Sequence, residues 1–355
     1  SGSTGVPKGV PVSHRGLADY LQFAADAYVP EAPPVAALHS SLRFDLTITT
    51  LFLPLLVGGV TVVFDGDPVD ALRDVAADDR ITFLKATPSQ LDLYTRFVDG
   101  RSNVDTLVVG GEAFRRSVAE RAHAVCAEGV AVFNEYGPTE AVVGCVVHRY
   151  APDVDADADV PIGAAAPGTQ LAVLDHVGQL APAGVWGELY VHRPGQPEAY
   201  LGDAVTAHDR FVSLEHVRHL DLAVGGDPAT AWYRTGDRVR AVRTGVLVYG
   251  GRDDDQLKVN GIRLEPGEVE AAISEHPAVA TAVVRAHPRA GGVVAWFLAA
   301  GAEATAPTPA ELRTFLLDRL PRHAVPGAFV SVADLPLAAS AKVDVDALPA
   351  PGPEH

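Results

Sequence analysis

The sequence predicts an α/β protein assembled from three successive regions, and three observations carry that prediction. Between residue 36 and about 150, apolar strand-like runs alternate with segments of helical periodicity. From about 155 to 250 the pattern changes to short strands separated by Gly/Pro turns. From 252 to 349 a charged opening leads into a further set of apolar stripes. Strand–helix alternation is the signature of parallel β/α layers, whereas short strands between turn residues mark a β-rich body. The expected regions are therefore a β/α core over 1–154, a β-rich, barrel-like subdomain over 155–251 and a small α+β lobe over 252–349.

Each element follows from its residues. "VTVVF" (60–64), "ITFLKA" (81–86), "DTLVVGG" (105–111) and "VAVFNEYG" (130–137) are apolar runs of strand length, and 68–78, 88–99 and 113–127 carry helical spacing between them. Parallel sheets gather ligands where their strands end, which makes the "GGE" and "NEYGPTE" loops candidate site loops. "TQLAVLD", "GELYVHR" and "GVLVYGG" supply strands of the second region. "GEVEAAISEH", "ATAVVRAH", "GVVAWFLAA", "PAELRTFLLDRL" and "AFVSVADLP" read as helix, strand, strand, helix, strand in the third. The charged run Asp253–Asp255 reads as a hinge and "DVDADADV" (153–160) as an acidic surface loop.

Composition narrows the function. A chain of 355 residues with 48% hydrophobic and 7% aromatic residues is a soluble globular protein. A net charge of −17 argues against nucleic acid or an anionic membrane as partner, because both require a basic footprint. Cys126 and Cys145, without any C-x-x-C, form neither a disulfide framework nor a zinc site. No targeting signal or long apolar stretch appears, so a cytoplasmic enzyme is expected, and the absence of methionine implies a slice of a longer chain. Only four of the 28 basic residues are lysines: Lys8, Lys85, Lys258 and Lys342. Unless base composition explains it, each is a position where a compact ammonium matters.

The opening "SGSTGVPKGV" offers backbone N–H groups, hydroxyls and one ammonium, the chemistry of a phosphate cradle. Pro7 stands where a Walker loop needs glycine, and a flexible Gly/Ser linker is the competing reading of these ten residues alone. Five strings then occur in order: "SGSTGVPKG" (1–9), "NEYGPTE" (134–140), "YRTGD" (233–237), "GRDDDQLKVNGIRLEPGEVE" (251–270) and "SAKVDVDALP" (340–349). Together they resemble the adenylate-forming superfamily, specifically the amino-acid-activating adenylation domains of nonribosomal peptide synthetases. The resemblance implies a large adenylate-forming core with a mobile C-terminal lid, and it implies that the family's N-terminal portion is not part of this sequence. An isolated slice of this kind is expected to fold poorly, since β/α layers need partners on both faces.

The resemblance also implies roles. Ser3, Thr4, Gly5 and Lys8 would form the phosphate loop. Gly111, Glu112, Asn134, Tyr136, Thr139, Asp237, Tyr249 and Arg252 would hold ATP: Asn134 on the adenine edge, Tyr136 on its face, Thr139 and Arg252 on phosphate, Asp237 on the ribose hydroxyls. For Arg252 an ion pair with the neighbouring aspartates competes with that role. Glu140 would ligate Mg²⁺, which takes few protein carboxylates beside substrate phosphates. Lys342 would stabilise the charge that accumulates as a carboxylate attacks the α-phosphorus. Ser340-Ala341 replaces the expected Asn-Gly before this lysine, and "RPGQPEAYLG" (193–202) lacks the usual Gly-x-Ala-Arg-Gly-Tyr core. Asp254 would be the hinge, and Gly261 would lie in the loop that meets a phosphopantetheine thiol.

By the same carry-over the amino-acid pocket would be lined by Asp45, Leu46, Thr49, Lys85, Val108, Gly110, Glu135, Val143, Gly144 and Lys342. Asp45 would hold the substrate α-amino group, unless it is simply a helix N-cap. An interior Lys85 needs a partner, and Glu135 is the only other acid of the set. A primary amide placed between them would satisfy both, its carbonyl accepting from Lys85 and its NH₂ donating to Glu135. That favours L-asparagine over aspartate on charge and over glutamine on length. The competing reading is a structural Lys85–Glu135 pair and another substrate. The expected partners are a peptidyl carrier protein with its phosphopantetheine, neighbouring synthetase domains and an MbtH-like helper protein. Alternatives are an acyl- or aryl-CoA ligase, activation of aspartate, glutamine or β-hydroxyasparagine, and a non-catalytic nucleotide-binding remnant.

Overall fold

The computed structural model describes residues 9–29, 32–201, 210–217, 231–243, 245–252, 257–259, 262–264, 266–287, 292–300, 306–336 and 347–352. The chain forms two compact units, Gly9–Asp254 and Asp255–His355.

In the first unit, the elements run α1 (His14–Tyr28), β1 (Val35–Leu38), α2 (Leu46–Val57), β2 (Val60–Val63), α3 (Pro68–Ala77), β3 (Phe83–Ala86), α4 (Pro88–Phe97), β4 (Thr106–Gly110), α5 (Arg116–Val125) and β5 (Ala131–Tyr136). β6 (Val146–Arg149) and β7 (Ala164–Ala165) follow. These strands build a sheet of order β2-β1-β3-β4-β5-β6-β7, parallel from β2 to β5 and antiparallel beyond. Helix ends are set by short polar side chains: Ser13 accepts from Gly16 N–H, Asp67 from Val69, and Thr87 with Gln90 closes a capping box on α4.

The period-two alternation of strands decides which side chains meet. Leu84 and Ala86, Leu107 and Val109, and Val132 point into the core that also holds Leu72, Val75, Leu91, Ala119 and Ala122 of α3, α4 and α5. Phe83, Val108 and Phe133 point the other way, against Tyr20, Ala24 and Tyr28 of α1 and Leu53 of α2. Two positions along from Phe83 and Phe133, on that same face and at the strand ends, stand Lys85 and Glu135. The register carries the alignment across: Lys85 lies beside Val108, and Gly110 beside Glu135.

β8 (Gln170–Leu174), β9 (Gly187–His192), β10 (Phe211–Val212), β11 (Trp232–Arg243) and β12 (Val246–Arg252) form an antiparallel sheet of order β10-β11-β9-β8, with β12 also on β11. The subdomain expected to be barrel-like is thus β-rich, and among the described residues its pairing does not run on from β8 to β10 or β12. The acidic loop expected on the surface keeps one carboxylate inside. Asp155 is buried and accepts from Ala151 N–H at 2.8 Å, with His148 Nε2 also 2.8 Å away, so it ties down the loop after β6.

The second unit holds β13 (Leu257–Val259) and β14 (Ile262–Leu264) as a hairpin, then α6 (Pro266–Ser274), β15 (Val279–His287), β16 (Gly292–Ala299), α7 (Pro309–Leu317) and β17 (Ala328–Ser331). β15 and β16 pair antiparallel, β16 and β17 parallel. Val269 and Ile273 of α6 and Leu312 and Leu316 of α7 pack with Val284, Ala295 and Phe329. The opposite face gathers Val283, Val294, Trp296, Val330 and Leu348. No helix of the described residues is long and apolar enough to cross a membrane.

Candidate functional site

The ends of β3 and β5 carry a buried polar cluster that sequence spacing only half revealed. Lys85 Nζ donates to Thr49 Oγ1 at 2.7 Å, to Tyr20 Oη at 3.1 Å and to Glu135 Oε2. Glu135 Oε1 accepts from Tyr20 Oη at 3.0 Å and Tyr28 Oη at 2.8 Å. All three ammonium hydrogens thus have acceptors, and both carboxylate oxygens have donors. Lys85 and Glu135 therefore bond directly to one another, and both are buried. Burial, and then the Glu135 charge, push the phenols of Tyr20 and Tyr28 well above their ordinary range, so both remain donors. These two tyrosines are absent from the sequence-derived pocket. Their signal was positional: eight residues apart on α1, they share one helical face.

Gly144 and Gly110 close the cluster by having no side chain. A Cβ on Gly144 would lie 2.3 Å from Glu135 Cδ, and one on Gly110 would lie 2.5 Å from the Glu135 carbonyl oxygen. Because Glu135 is held by a lysine and two tyrosines, it cannot swing away cheaply. Gly144→Ala is expected to destabilise the chain by about 1–3 kcal/mol through overpacking. Chemical denaturation checks the effect.

Asp45 occupies the N-cap position of α2, yet its side chain makes no capping bond. Its Oδ2 accepts instead from Thr139 Oγ1 at 2.6 Å. The hydroxyl expected on phosphate therefore anchors the carboxylate expected on the amino group. Burial pushes the Asp45 pKa up; the Thr139 hydrogen bond and the Lys85 charge pull it back, while Glu140 and Glu135 push it further. Leu46 is half-buried beside it, Thr49 is buried beneath, and Val108 and Val143 belong to the apolar core under the site.

Several residues expected at the nucleotide form a second network. Tyr136 Oη donates to Asp237 Oδ2, and Arg252 Nη1 donates to Asp237 Oδ1 at 2.7 Å. Arg252 Nη2 also reaches the Thr235 carbonyl at 2.9 Å. Among the described residues Arg252 thus forms its ion pair with Asp237. The antiparallel register of β11 and β12 sets it opposite Asp237, so strand pairing chose its partner. Tyr249 packs in the same apolar cluster as Tyr136. Asn134, expected on adenine, donates its amide instead to the carbonyls of Val160 at 3.0 Å and Pro161 at 2.8 Å. Its alternation with Glu135 turns it to the other face of the sheet, where it fixes the loop before β7. Gly111 takes a left-handed φ of 90° at the strand end. Glu112 Oε2 accepts from Ser89 Oγ at 2.6 Å at the start of α4. Glu140, in the single turn Thr139–Ala141, is buried and takes the Tyr200 hydroxyl on Oε1 at 2.6 Å. Ser3, Thr4, Gly5, Lys8, Asp254, Gly261 and Lys342 lie outside the described residues.

A parallel sheet with charged groups at its strand ends, followed by a β-rich body and a separate α+β unit, is the architecture that the sequence resemblance implies. The chain belongs to the AMP-binding enzymes: the AMP-binding enzyme family matches residues 1–201, and the AMP-binding enzyme C-terminal domain matches 268–342. It is 37% identical to tyrocidine synthase 3 of Brevibacillus parabrevis and 34% identical to bacitracin synthase 3 of Bacillus licheniformis, each over 99% of this chain. It spans 5% of the length of each of those two proteins. The holo form of PA1221, a nonribosomal peptide synthetase protein containing adenylation and PCP domains and bound to a vinylsulfonamide inhibitor, superposes with a TM-score of 0.78 at 28% identity. That likeness covers 98% of this chain and 58% of the other.

Proposed function

We propose that the chain is the amino-acid-activating part of a nonribosomal peptide synthetase and that its substrate is L-asparagine. In the first half-reaction a carboxylate oxygen attacks the α-phosphorus of ATP, and pyrophosphate departs with the bonding pair. In the second, the thiol of a carrier protein's phosphopantetheine attacks the aminoacyl carbonyl, AMP leaves, and the thiol proton is lost. The family, the synthetase relatives and the carrier-containing structural neighbour support the class of reaction.

The observation that carries the substrate reading is the buried, internally neutral Lys85–Glu135 pair under a half-buried Asp45. Asp45 is suited to a substrate ammonium. The pair favours a neutral polar side chain, because an added carboxylate would face Glu135 in a desolvated site. A primary amide can accept from Lys85 in place of its longest contact, the 3.1 Å bond to Tyr20, and donate to Glu135. Leu46, Thr49 and Val143 would line the pocket and suit a short side chain. Lys342 would supply the cation that the phosphoryl transition state requires. Magnesium, when bound, neutralises phosphate charge. Glu140, oriented by Tyr200, is of the hard-oxygen type that this ion selects and would hold it together with substrate phosphates.

The test is ATP–pyrophosphate exchange by the complete domain containing this chain, run against the twenty amino acids and against fatty and aryl acids. Asparagine should rank first; any other first rank overturns the substrate, and dependence on a fatty or aryl acid overturns the class. Glu135→Gln leaves the Lys85 charge uncompensated while retaining acceptors for the tyrosines. It should shift preference toward aspartate by about tenfold or more, since one charged contact is worth roughly 1.5–3 kcal/mol.

A further inference from the structure

One buried side chain next to the pocket is not explained by any role above. Arg193, just beyond β9, is 1% exposed. It forms no ion pair among the described residues, and its Nε and Nη2 have no hydrogen-bond partner there. Its single side-chain bond runs from Nη1 to the Gly144 carbonyl, at 2.7 Å over a sequence separation of 49 residues. A desolvated guanidinium with two idle nitrogens is costly, so what its one bond holds is informative.

That bond holds a strained turn. Val142 and Val143, immediately before Gly144, adopt positive φ values of 60° and 64°, a conformation β-branched residues seldom take. Such geometry persists only where the surroundings fix it, and it clusters at ligand sites. Here the valine side chains are buried in the core that α1 covers, and the carbonyl after them is gripped by Arg193. The next backbone atoms touch Glu135, since a Cβ on Gly144 would fall on its carboxyl group. The guanidinium is itself positioned: its Cζ lies 5.8 Å from the centre of the Tyr20 ring, whose hydroxyl bonds both Lys85 and Glu135.

The loop carrying it is fixed from three sides. Arg193 N–H donates to Gln196 Oε1 at 2.9 Å, Gln196 Nε2 to the Ala231 carbonyl at 3.0 Å, and Ser13 Oγ to the Gly195 carbonyl at 2.8 Å. Its charge also opposes the rise in pKa that burial imposes on Tyr28 and Cys145, so it acts at the range of the Glu135 cluster.

We propose that Arg193 is a specificity-positioning residue, which clamps the Val142–Gly144 turn so that the pocket wall and the Glu135 carboxylate hold the spacing that selects the amino-acid side chain. This rests on the proposed activation of an amino acid but not on asparagine being the one. The test uses Arg193→Ala, Arg193→Gln and Arg193→Lys in the complete domain, with exchange measured over the twenty amino acids and KM read separately for amino acid and ATP. In the Ala and Gln variants the amino-acid KM should rise about tenfold or more and the ranking among small polar amino acids should flatten, while KM for ATP stays within about twofold. Lysine, which can still donate to the Gly144 carbonyl, should recover part of the selectivity.

An unchanged ranking, or equal changes in both KM values, would overturn the proposal. So would failure of all three variants to fold, because the residue would then serve the fold alone. Wild-type ranking tests asparagine, and the change in ranking on substitution tests Arg193, so the two readings fail separately.

Discussion

Lys85→Ala should lower the unfolding free energy by about 3–5 kcal/mol, the cost of stranding one member of a buried ion pair. The alanine removes a cation whose hydrogens reach Tyr20, Thr49 and Glu135. It leaves the Glu135 carboxylate with tyrosine hydroxyls as its remaining donors in that cluster. The double variant Lys85→Met/Glu135→Gln should recover most of the loss, because a neutral amide oxygen still accepts from Tyr20 and Tyr28. Denaturant unfolding of the wild type, Lys85→Met, Glu135→Gln and the double variant gives the coupling directly. Strict additivity would show that the pair does not act as a unit. If the pair also selects the substrate, as proposed, the double variant should still lose amino-acid-dependent exchange, which separates a stabilising from a selective role.

Asp45→Asn is the second large effect, and its two consequences have opposite signs. If Asp45 holds the substrate ammonium, removing its charge should reduce kcat/KM for the amino acid by about 10–100-fold, the worth of one charged hydrogen bond. Stability should not fall. Burial raises the folded-state pKa of this carboxyl above that of the unfolded chain. Protonation therefore favours the folded state, and the ionised group costs stability at every pH above its raised pKa. That cost is relieved as the pH falls, and in the Asn variant it is gone at neutral pH. The amino-acid KM of the wild type should correspondingly rise on the acid side at a higher pH than an ordinary aspartate would give. A variant that loses activity together with several kcal/mol of stability would count against this reading.

Much of the architecture was legible in the sequence because it depends on local patterns. The strand runs 60–64, 81–86, 105–111 and 130–137 and the helices between them appear within two or three residues of their expected bounds. The helix–strand–strand–helix–strand order of the second unit appears as well. Composition could also pick out Lys85 and Glu135, since an interior lysine demands a partner. Composition could not say which further groups would complete their hydrogen bonding. That depended on Tyr20, Tyr28 and Thr49 converging from α1 and α2 to saturate both charges.

Two further decisions were tertiary. Arg252 had neighbouring aspartates in sequence and found Asp237 through strand register. Arg193 lay in a stretch without a recognisable motif and gained its place only when the loop after β9 came against the Val142–Gly144 turn.

The sequence by itself determined the order and type of the elements, the family, and which residue types stand at the strand ends. These follow from periodicities of two and 3.6 residues and from motifs read along the chain. The tertiary structure alone decided which hydrogen-bonding group meets which. A buried charge takes whatever donors and acceptors packing brings within about 3 Å, and residues separated by 15 to 115 positions supplied them here.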